Sequence, residues 1–137
     1  MYTCGIDIGS VSSEAVILQR DEKELRVLSY VIASTGGDSK EAAEKVFKEA
    51  TSKANLERQQ IDSIVATGYG RLNVQFADKN ITEISCHARG VISYFPETKT
   101  VIDIGGQDSK VIKLDSRGSP IDFLMNDKCA AGTGRFL

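Results

Sequence analysis

The chain has 137 residues, of which 41% are hydrophobic and 26% are charged, and its net charge is −2. These values predict a soluble globular domain with its own core, and they give no basis for binding nucleic acid or an anionic membrane. No apolar run is long enough to span a bilayer, and the first residues show no signal peptide. We therefore expect a cytoplasmic protein with no membrane or nucleic-acid partner.

The elements predicted in chain order are typical of an α/β fold whose first strands form antiparallel hairpins. Apolar runs indicate strands, and apolar residues at helical spacing behind Asp38 indicate a helix that extends to Ala54. The predicted elements are strands Tyr2–Gly9, Glu14–Gln19 and Leu25–Ile32, the helix after Asp38, strand Ile61–Thr67, a weak strand at Ile81–Ile84, a helix at Cys86–Phe95, and strands Thr100–Ile104, Lys110–Leu114 and Ile121–Met125.

One strand-turn-strand unit occurs twice, at an offset of 96 residues. Asp7 aligns with Asp103 and Gly9 with Gly105, and apolar residues of the strand that follows also align. This repeat predicts two related subdomains that face each other, of which the second has only begun when the sequence stops.

Each copy of the repeat contains groups suited to phosphate. A glycine turn lets backbone N–H groups approach a phosphate, and an aspartate at the strand end can hold Mg²⁺ through water. In the second copy, Gln107 or Asp108 could orient an attacking water. An ordinary polar hairpin is the alternative, which two matching copies disfavour. The predicted catalytic residues are Asp7, Asp103, Gln107 and Asp108, and the predicted phosphate-binding residues are Gly9, Ser10, Ser12, Ser13, Gly105 and Gly106.

Other motifs are less decisive. Neither a P-loop nor a G-x-G-x-x-G turn after the first strand occurs, which disfavours a Walker-type NTPase and a Rossmann dehydrogenase. The segment Thr67–Arg71 is rich in glycine and fits a nucleotide contact, a contact with the partner subdomain or an ordinary turn. His87 is the only histidine, and a structural role is the better interpretation of it.

Three cysteines, Cys4, Cys86 and Cys129, are too far apart and odd in number for a disulfide framework. Cys129 stands among small residues just before a Gly-Thr-Gly run, at a predicted helix start that would favour its thiolate. A metal site made by this chain alone would lack ligands, so a site shared between chains remains open. A buried, inert cysteine is an equally good interpretation from the residues alone.

Five blocks of sequence resemble the activator ATPases of 2-hydroxyacyl-CoA dehydratases and the ATP-binding subunits of benzoyl-CoA reductase. The phosphate loops are generic to the superfamily of actin, sugar kinases and heat-shock chaperones, whereas the block around Cys129 is specific. In family order, and across nearly the whole chain, the blocks are Gly5–Ser10, Ala66–Arg71, Ser85–Ala88, Val101–Asp108 and Asn126–Leu137.

The resemblance implies a ribonuclease-H-like fold in two duplicated lobes, with residues 1–96 as the first lobe and 97–137 as the truncated start of the second. It implies ATP and Mg²⁺ in the cleft. It also implies a homodimer that holds one [4Fe-4S] cluster at its interface, each subunit giving two cysteines, of which Cys129 matches the first. Further cofactor-binding residues in the same block are Gly132, Thr133 and Gly134.

The implied activity is ATP hydrolysis coupled to low-potential electron transfer from ferredoxin or flavodoxin into a dehydratase or reductase component. A small-molecule kinase of the same superfamily and a non-catalytic nucleotide-binding domain are the alternatives. Glu14 departs from the family pattern, in which many members carry Lys, and this removes a positive charge near the phosphates. The family's second cluster cysteine and adenosine segment lie beyond Leu137, so we expect the 137-residue chain alone to be inactive.

Overall fold

The computed structural model describes residues 1–22 and 24–126. The chain forms two compact units, Met1–Ile81 and a second unit that begins at Thr82. The lobe boundary between residues 96 and 97 stays a prediction, while the boundary between the compact units falls before the second helix. No helix in the described ranges is long and apolar enough to cross a membrane.

The first unit is a five-stranded sheet with one long helix. Strand order is β3-β2-β1-β4-β5, in which β1 pairs antiparallel with β2 and parallel with β4. The strands are β1 (Tyr2–Ile8), β2 (Ser12–Arg20), β3 (Leu25–Ser34), β4 (Ser63–Thr67) and β5 (Lys79–Asn80); the helix is α1 (Ser39–Lys53), and short 3₁₀ turns lie at Arg58–Gln60 and Arg71–Asn73.

Alternation of apolar residues along β1, β2 and β4 builds the core of the first unit. Every second side chain of a strand points to the same face, and on this sheet that face is buried together with one side of α1. Asp38 caps the helix, because its side chain accepts hydrogen bonds from the N–H groups of Lys40 and Glu41 at 2.8 and 3.2 Å. The predicted helix start at Asp38 is therefore confirmed.

The second unit is a three-stranded antiparallel sheet with one helix. Its strand order is β6-β7-β8, and its small core comprises Ala88, Val101, Ile112 and Leu114. The elements are α2 (Glu83–Tyr94), β6 (Thr100–Ile104), β7 (Ser109–Leu114) and β8 (Pro120–Met125).

The predicted strands and helices agree with the structure except at one place. The weak strand at Ile81–Ile84 is wrong, because Ile84 lies in the first turn of α2 and the only strand nearby is the two-residue β5. Thr82 explains the difference: its hydroxyl accepts from the N–H of Ser85 and so begins the helix three residues earlier than apolar spacing alone suggests.

Candidate functional site

The first hairpin joins β1 to β2 through a tight turn that begins after Ile8, one residue beyond Asp7. Ile8 pairs with Ser13, and the N–H of Gly9 donates to the carbonyl oxygen of Ser12 at 2.9 Å. A Cβ on Gly9 would stand 2.8 Å from that same oxygen, which is too close for any side chain. The turn therefore requires glycine at this position.

The second hairpin joins β6 to β7 in the same way. Ile104 pairs with Ser109, and the N–H of Gly105 donates to the carbonyl oxygen of Asp108 at 2.8 Å. Pairing, closing hydrogen bond and loop length match those of the first hairpin position for position. The repeat seen in the sequence is thus a repeat of backbone structure.

The serines of the first hairpin are not equivalent. Ser13 is fully buried, and its Oγ lies 2.7 Å from Oγ1 of Thr35, which in turn donates to the carbonyl oxygen of Gly9 at 2.8 Å. The hydroxyl of Ser13 therefore supports the turn from beneath. Ser10 lies on the turn and Ser12 is the first residue of β2. Both are half-buried, so theirs are the hydroxyls of this hairpin nearest to solvent.

Lys110 organises the acidic residues of the second hairpin. Its side chain is only 5% exposed, and its Nζ lies 2.7 Å from Asp108 Oδ1, 3.5 Å from Asp103 Oδ2 and 3.9 Å from Glu83 Oε1. Burial acts to lower the pKa of Lys110, but the hydrogen bond and charge of Asp108, together with the other two carboxylates, outweigh burial and raise that pKa. His87 Nδ1 lies 3.7 Å from Asp103 Oδ2. The lysine is thus a fixed cation among three acids.

The remaining predicted residues of the second hairpin face outwards. Gly106 and Gln107 are exposed at the tip of the loop, and Gly105 is half-buried at its base. An exposed amide at this position can reach a bound molecule without rearrangement of the hairpin. The structure thus brings together the four predicted residues from Gly105 to Asp108 on one turn.

The glycine-rich segment after β4 lies directly against the end of β1. The N–H of Gly70 donates to the carbonyl oxygen of Ile8 at 2.8 Å, and Arg71 Nη1 donates to the carbonyl oxygen of Gly68 at 2.9 Å. Gly68 has φ +82°, and a Cβ there would overlap Asp7 Oδ1 and lie 2.6 Å from the Ile8 oxygen. The sequence left three interpretations of this segment open, and the structure places it beside the first hairpin. The two glycines that flank Tyr69 are the sequence feature that indicates a close backbone approach here.

The two described cysteines differ in their surroundings. Cys4 is buried in β1, and burial, only partly offset by the charge of Arg58, raises its pKa to about 12. Cys86 is half-buried on α2. Residues 1–22 and 24–126 contain no group of three or more His, Cys, Asp or Glu side chains that could hold a metal ion.

Four predicted site residues cannot be placed. They lie outside the described residues and comprise Gly132, Thr133, Gly134 and the predicted cluster ligand Cys129.

The BadF/BadG/BcrA/BcrD ATPase family matches residues 4–137 of the chain. The chain belongs to this ATPase family. Within the family it is 54% identical over 137 residues to the 2-hydroxyisocaproyl-CoA dehydratase activator of Clostridioides difficile and 45% identical over 138 residues to the (R)-2-hydroxyglutaryl-CoA dehydratase activating ATPase of Acidaminococcus fermentans. The alignments cover the whole chain but 50% and 51% of these relatives. The chain therefore spans about half the length of the curated relatives it matches.

Solved structures share the fold of this chain. The Clostridium difficile activator with bound ADPNP superimposes with a TM-score of 0.89 at 52% identity, covering 99% of this chain and 49% of that one. An exopolyphosphatase from Cytophaga hutchinsonii, at 15% identity and TM-score 0.69 over 99% of this chain and 54% of its own, shares the fold alone. These likenesses confirm the predicted fold class, an α/β fold of the actin, sugar kinase and ATPase type.

Proposed function

We propose that this chain forms the nucleotide-binding N-terminal part of an ATP-dependent reductive activator, which passes a low-potential electron to a 2-hydroxyacyl-CoA dehydratase or a related reductase. The observation that carries the proposal is the pair of matching hairpins, each with an aspartate at the strand end and a glycine turn. Their occurrence in a chain 45% to 54% identical to named dehydratase activators supports the choice of reaction.

The two turns would bind the phosphates of ATP. The backbone around Gly9 and Gly105 can approach an anion closely, because neither position carries a side chain. Asp7 and Asp103 stand at equivalent strand ends and would hold Mg²⁺ through bound water. Gln107, exposed on its loop, would orient the attacking water.

Half-buried Ser10 on the first turn and Ser12 at the start of β2 would add hydroxyl donors to the phosphates, and Gly106 would add an N–H at the second turn. Ser13 would contribute by supporting the first turn from beneath, since its hydroxyl is already hydrogen-bonded to Thr35. Asp108 would act from its hydrogen bond with Lys110. Ser10, Ser12 and Gly106 would thus bind the phosphates. Ser13 and Asp108 would support the two turns.

The electron-transfer half of the proposal depends on the block that begins at Asn126. A [4Fe-4S] cluster bound by thiolates from two subunits would supply reversible one-electron chemistry. Cys129 would be one of its ligands, and Gly132, Thr133 and Gly134 would let the cluster or a backbone approach closely. Cys4 is unsuited to ligation, because burial keeps it a neutral thiol. The proposed partners are a second copy of the chain, the dehydratase or reductase component, and a ferredoxin or flavodoxin donor.

The test measures iron, acid-labile sulfide and phosphate release from ATP in the whole protein after anaerobic purification. We expect about four iron atoms per dimer and ATP hydrolysis without any phosphate acceptor. Cys129→Ser should remove the iron, whereas the matched variant Cys86→Ser should keep it.

Other outcomes separate the alternatives. Phosphate transfer only in the presence of a sugar or acid acceptor would favour a small-molecule kinase. Nucleotide binding without iron or turnover would leave a non-catalytic binding domain. Full iron content in Cys129→Ser would contradict the ligand assignment while leaving the ATPase intact.

A further inference from the structure

A buried hydroxyl at the end of β4 has no hydrogen-bond partner among the described residues. Oγ1 of Thr67 is that atom, and the residue is 9% exposed. Buried hydroxyls in folded proteins are nearly always hydrogen-bonded, because an unsatisfied one forfeits its interaction with water. The Thr67 hydroxyl is thus available, within the described part of the chain, to accept a hydrogen bond from a bound ligand.

The register of the sheet shows which way this hydroxyl faces. Ile6 pairs with Ala66 in the parallel ladder, and both are buried on the face that packs on α1. The next pair is Asp7 with Thr67, which must point to the opposite face because side chains alternate. Thr67 therefore stands beside the strand-end aspartate of the first hairpin, on the same side of the sheet.

A second carboxylate shares this row. Glu14 is paired with Asp7 across β1 and β2, so that Glu14, Asp7 and Thr67 form a line across three neighbouring strands. Two acids in one row attract a cation and repel a bare phosphate. A magnesium ion in a nucleotide site keeps several of its waters, and these donate hydrogen bonds to surrounding oxygens.

We propose that Thr67 Oγ1 is a site for the hydrated divalent cation of the bound nucleotide, in which the hydroxyl accepts a hydrogen bond from a cation-bound water beside Asp7. This inference rests on the proposed nucleotide function. Gly68 supports the arrangement, because the absence of a side chain lets the chain turn against Asp7 immediately after Thr67. The hydroxyl then costs stability in the empty protein and contributes to binding in the loaded one.

The test compares the dissociation constant of ADP in Mg²⁺ with that in EDTA, and the Tm without nucleotide, for the whole protein and Thr67→Val. We expect binding in Mg²⁺ to weaken about tenfold, binding in EDTA to stay unchanged, and the Tm to stay equal or rise. Thr67→Ser, which keeps the hydroxyl, should bind within about twofold of the parent in Mg²⁺. Thr67→Ala removes the same hydroxyl if the valine variant does not fold.

Thr51→Val is the matched control. Thr51 is 7% exposed in α1, but its hydroxyl already donates at 3.0 Å to the carbonyl oxygens of Phe47 and Lys48. Its loss should lower the Tm and leave ADP binding in Mg²⁺ unchanged.

Unchanged Mg²⁺-dependent binding in Thr67→Val, or a fall in its Tm as large as that of Thr51→Val, would overturn the inference. Equal ADP affinity of the parent in Mg²⁺ and EDTA would overturn it as well, without touching nucleotide binding itself. A parent protein that binds no nucleotide at all would overturn both this inference and the proposed function.

Discussion

The two hairpins share one backbone and carry opposite charges at one equivalent position. Asp7 faces Glu14 across the first hairpin, whereas Asp103 faces Lys110 across the second. The turn follows from a strand, an aspartate and a glycine two residues later, and this pattern is the same in both copies. The charge beside the strand-end aspartate is set by the one residue paired with it, which is acidic in the first hairpin and basic in the second.

The difference shows two ways of supporting the same hairpin. The first hairpin is supported from outside, by the segment that contains Gly68 and Gly70 and by the hydroxyl of Thr35. The second hairpin is supported from within, by Lys110 and the acids around it. The same backbone is thus held by different contacts in the two hairpins.

We expect the largest effect from a substitution that disrupts the packing of Gly68 against the first hairpin. Gly68→Ala would place a Cβ against Asp7 Oδ1 and the carbonyl oxygen of Ile8 and would also strain a residue at φ +82°. We expect a loss of about 3 kcal/mol or more in the free energy of unfolding, measured by urea denaturation of the whole protein.

Gly36→Ala separates strain from collision in that experiment. Gly36 also has positive φ, at +65°, but nothing lies within 4 Å of its Cβ position. It should lose only about 1 kcal/mol. Equal losses in the two variants would mean that Gly68 matters for its backbone angle alone and does not support the first hairpin.

We expect the next largest effect from removal of the Lys110 charge in the second hairpin. Lys110→Met would leave three acids without their shared cation, and we expect the free energy of unfolding to fall by about 2 kcal/mol at neutral pH. The exposed Lys113→Met on the same strand should change it by less than about 0.5 kcal/mol. Because the pKa of Lys110 is raised by folding, its contribution is complete below the ordinary lysine range and is lost as the pH rises through the folded-state value.

Urea denaturation of both variants from neutral to strongly alkaline solution checks this sign. The difference between the parent and Lys110→Met should shrink at the alkaline end. A difference that grows there instead would show that the lysine is neutral in the folded protein.

The smallest effect converts the first hairpin to the charge pattern of the second. Glu14→Lys would place an ammonium opposite Asp7, which should stabilise the fold by about 0.5 kcal/mol. It should also raise the affinity for ATP in EDTA about fivefold, as expected of one charge added near the proposed phosphate site. Glu44→Lys, exposed on α1, makes the same charge change elsewhere. Equal gains in affinity would attribute the effect to net charge and not to the hairpin.

Local patterns predicted most of the backbone. Alternating apolar residues located the strands, Asp38 located the start of α1, and the repeat of Asp7 at Asp103 located both hairpins. These features depend on neighbours within a few residues, which the sequence displays directly. The missed start of α2 had the same kind of signal, since Thr82 is a good capping residue.

The contacts between distant residues were not predictable. Lys110 meets Glu83 because β7 packs near the start of α2, and no spacing in the sequence encodes that contact. Ser13 shows the opposite case: it alternates with Ala15 and Ile17, both buried, so its inward direction could have been inferred from the strand period. No spacing in the sequence indicates that the hydroxyl of Thr67 lacks a partner among the described residues, because that depends on which side chains surround the end of β4.

Burial of Cys4 also decides how its thiol reacts with other molecules. Because burial raises the pKa of Cys4 to about 12, this side chain is a neutral thiol near neutral pH. A thiol in that condition reacts slowly with alkylating reagents and oxidants, because the thiolate is the nucleophile. The interior of the first sheet thus protects this cysteine from covalent modification while the protein stays folded.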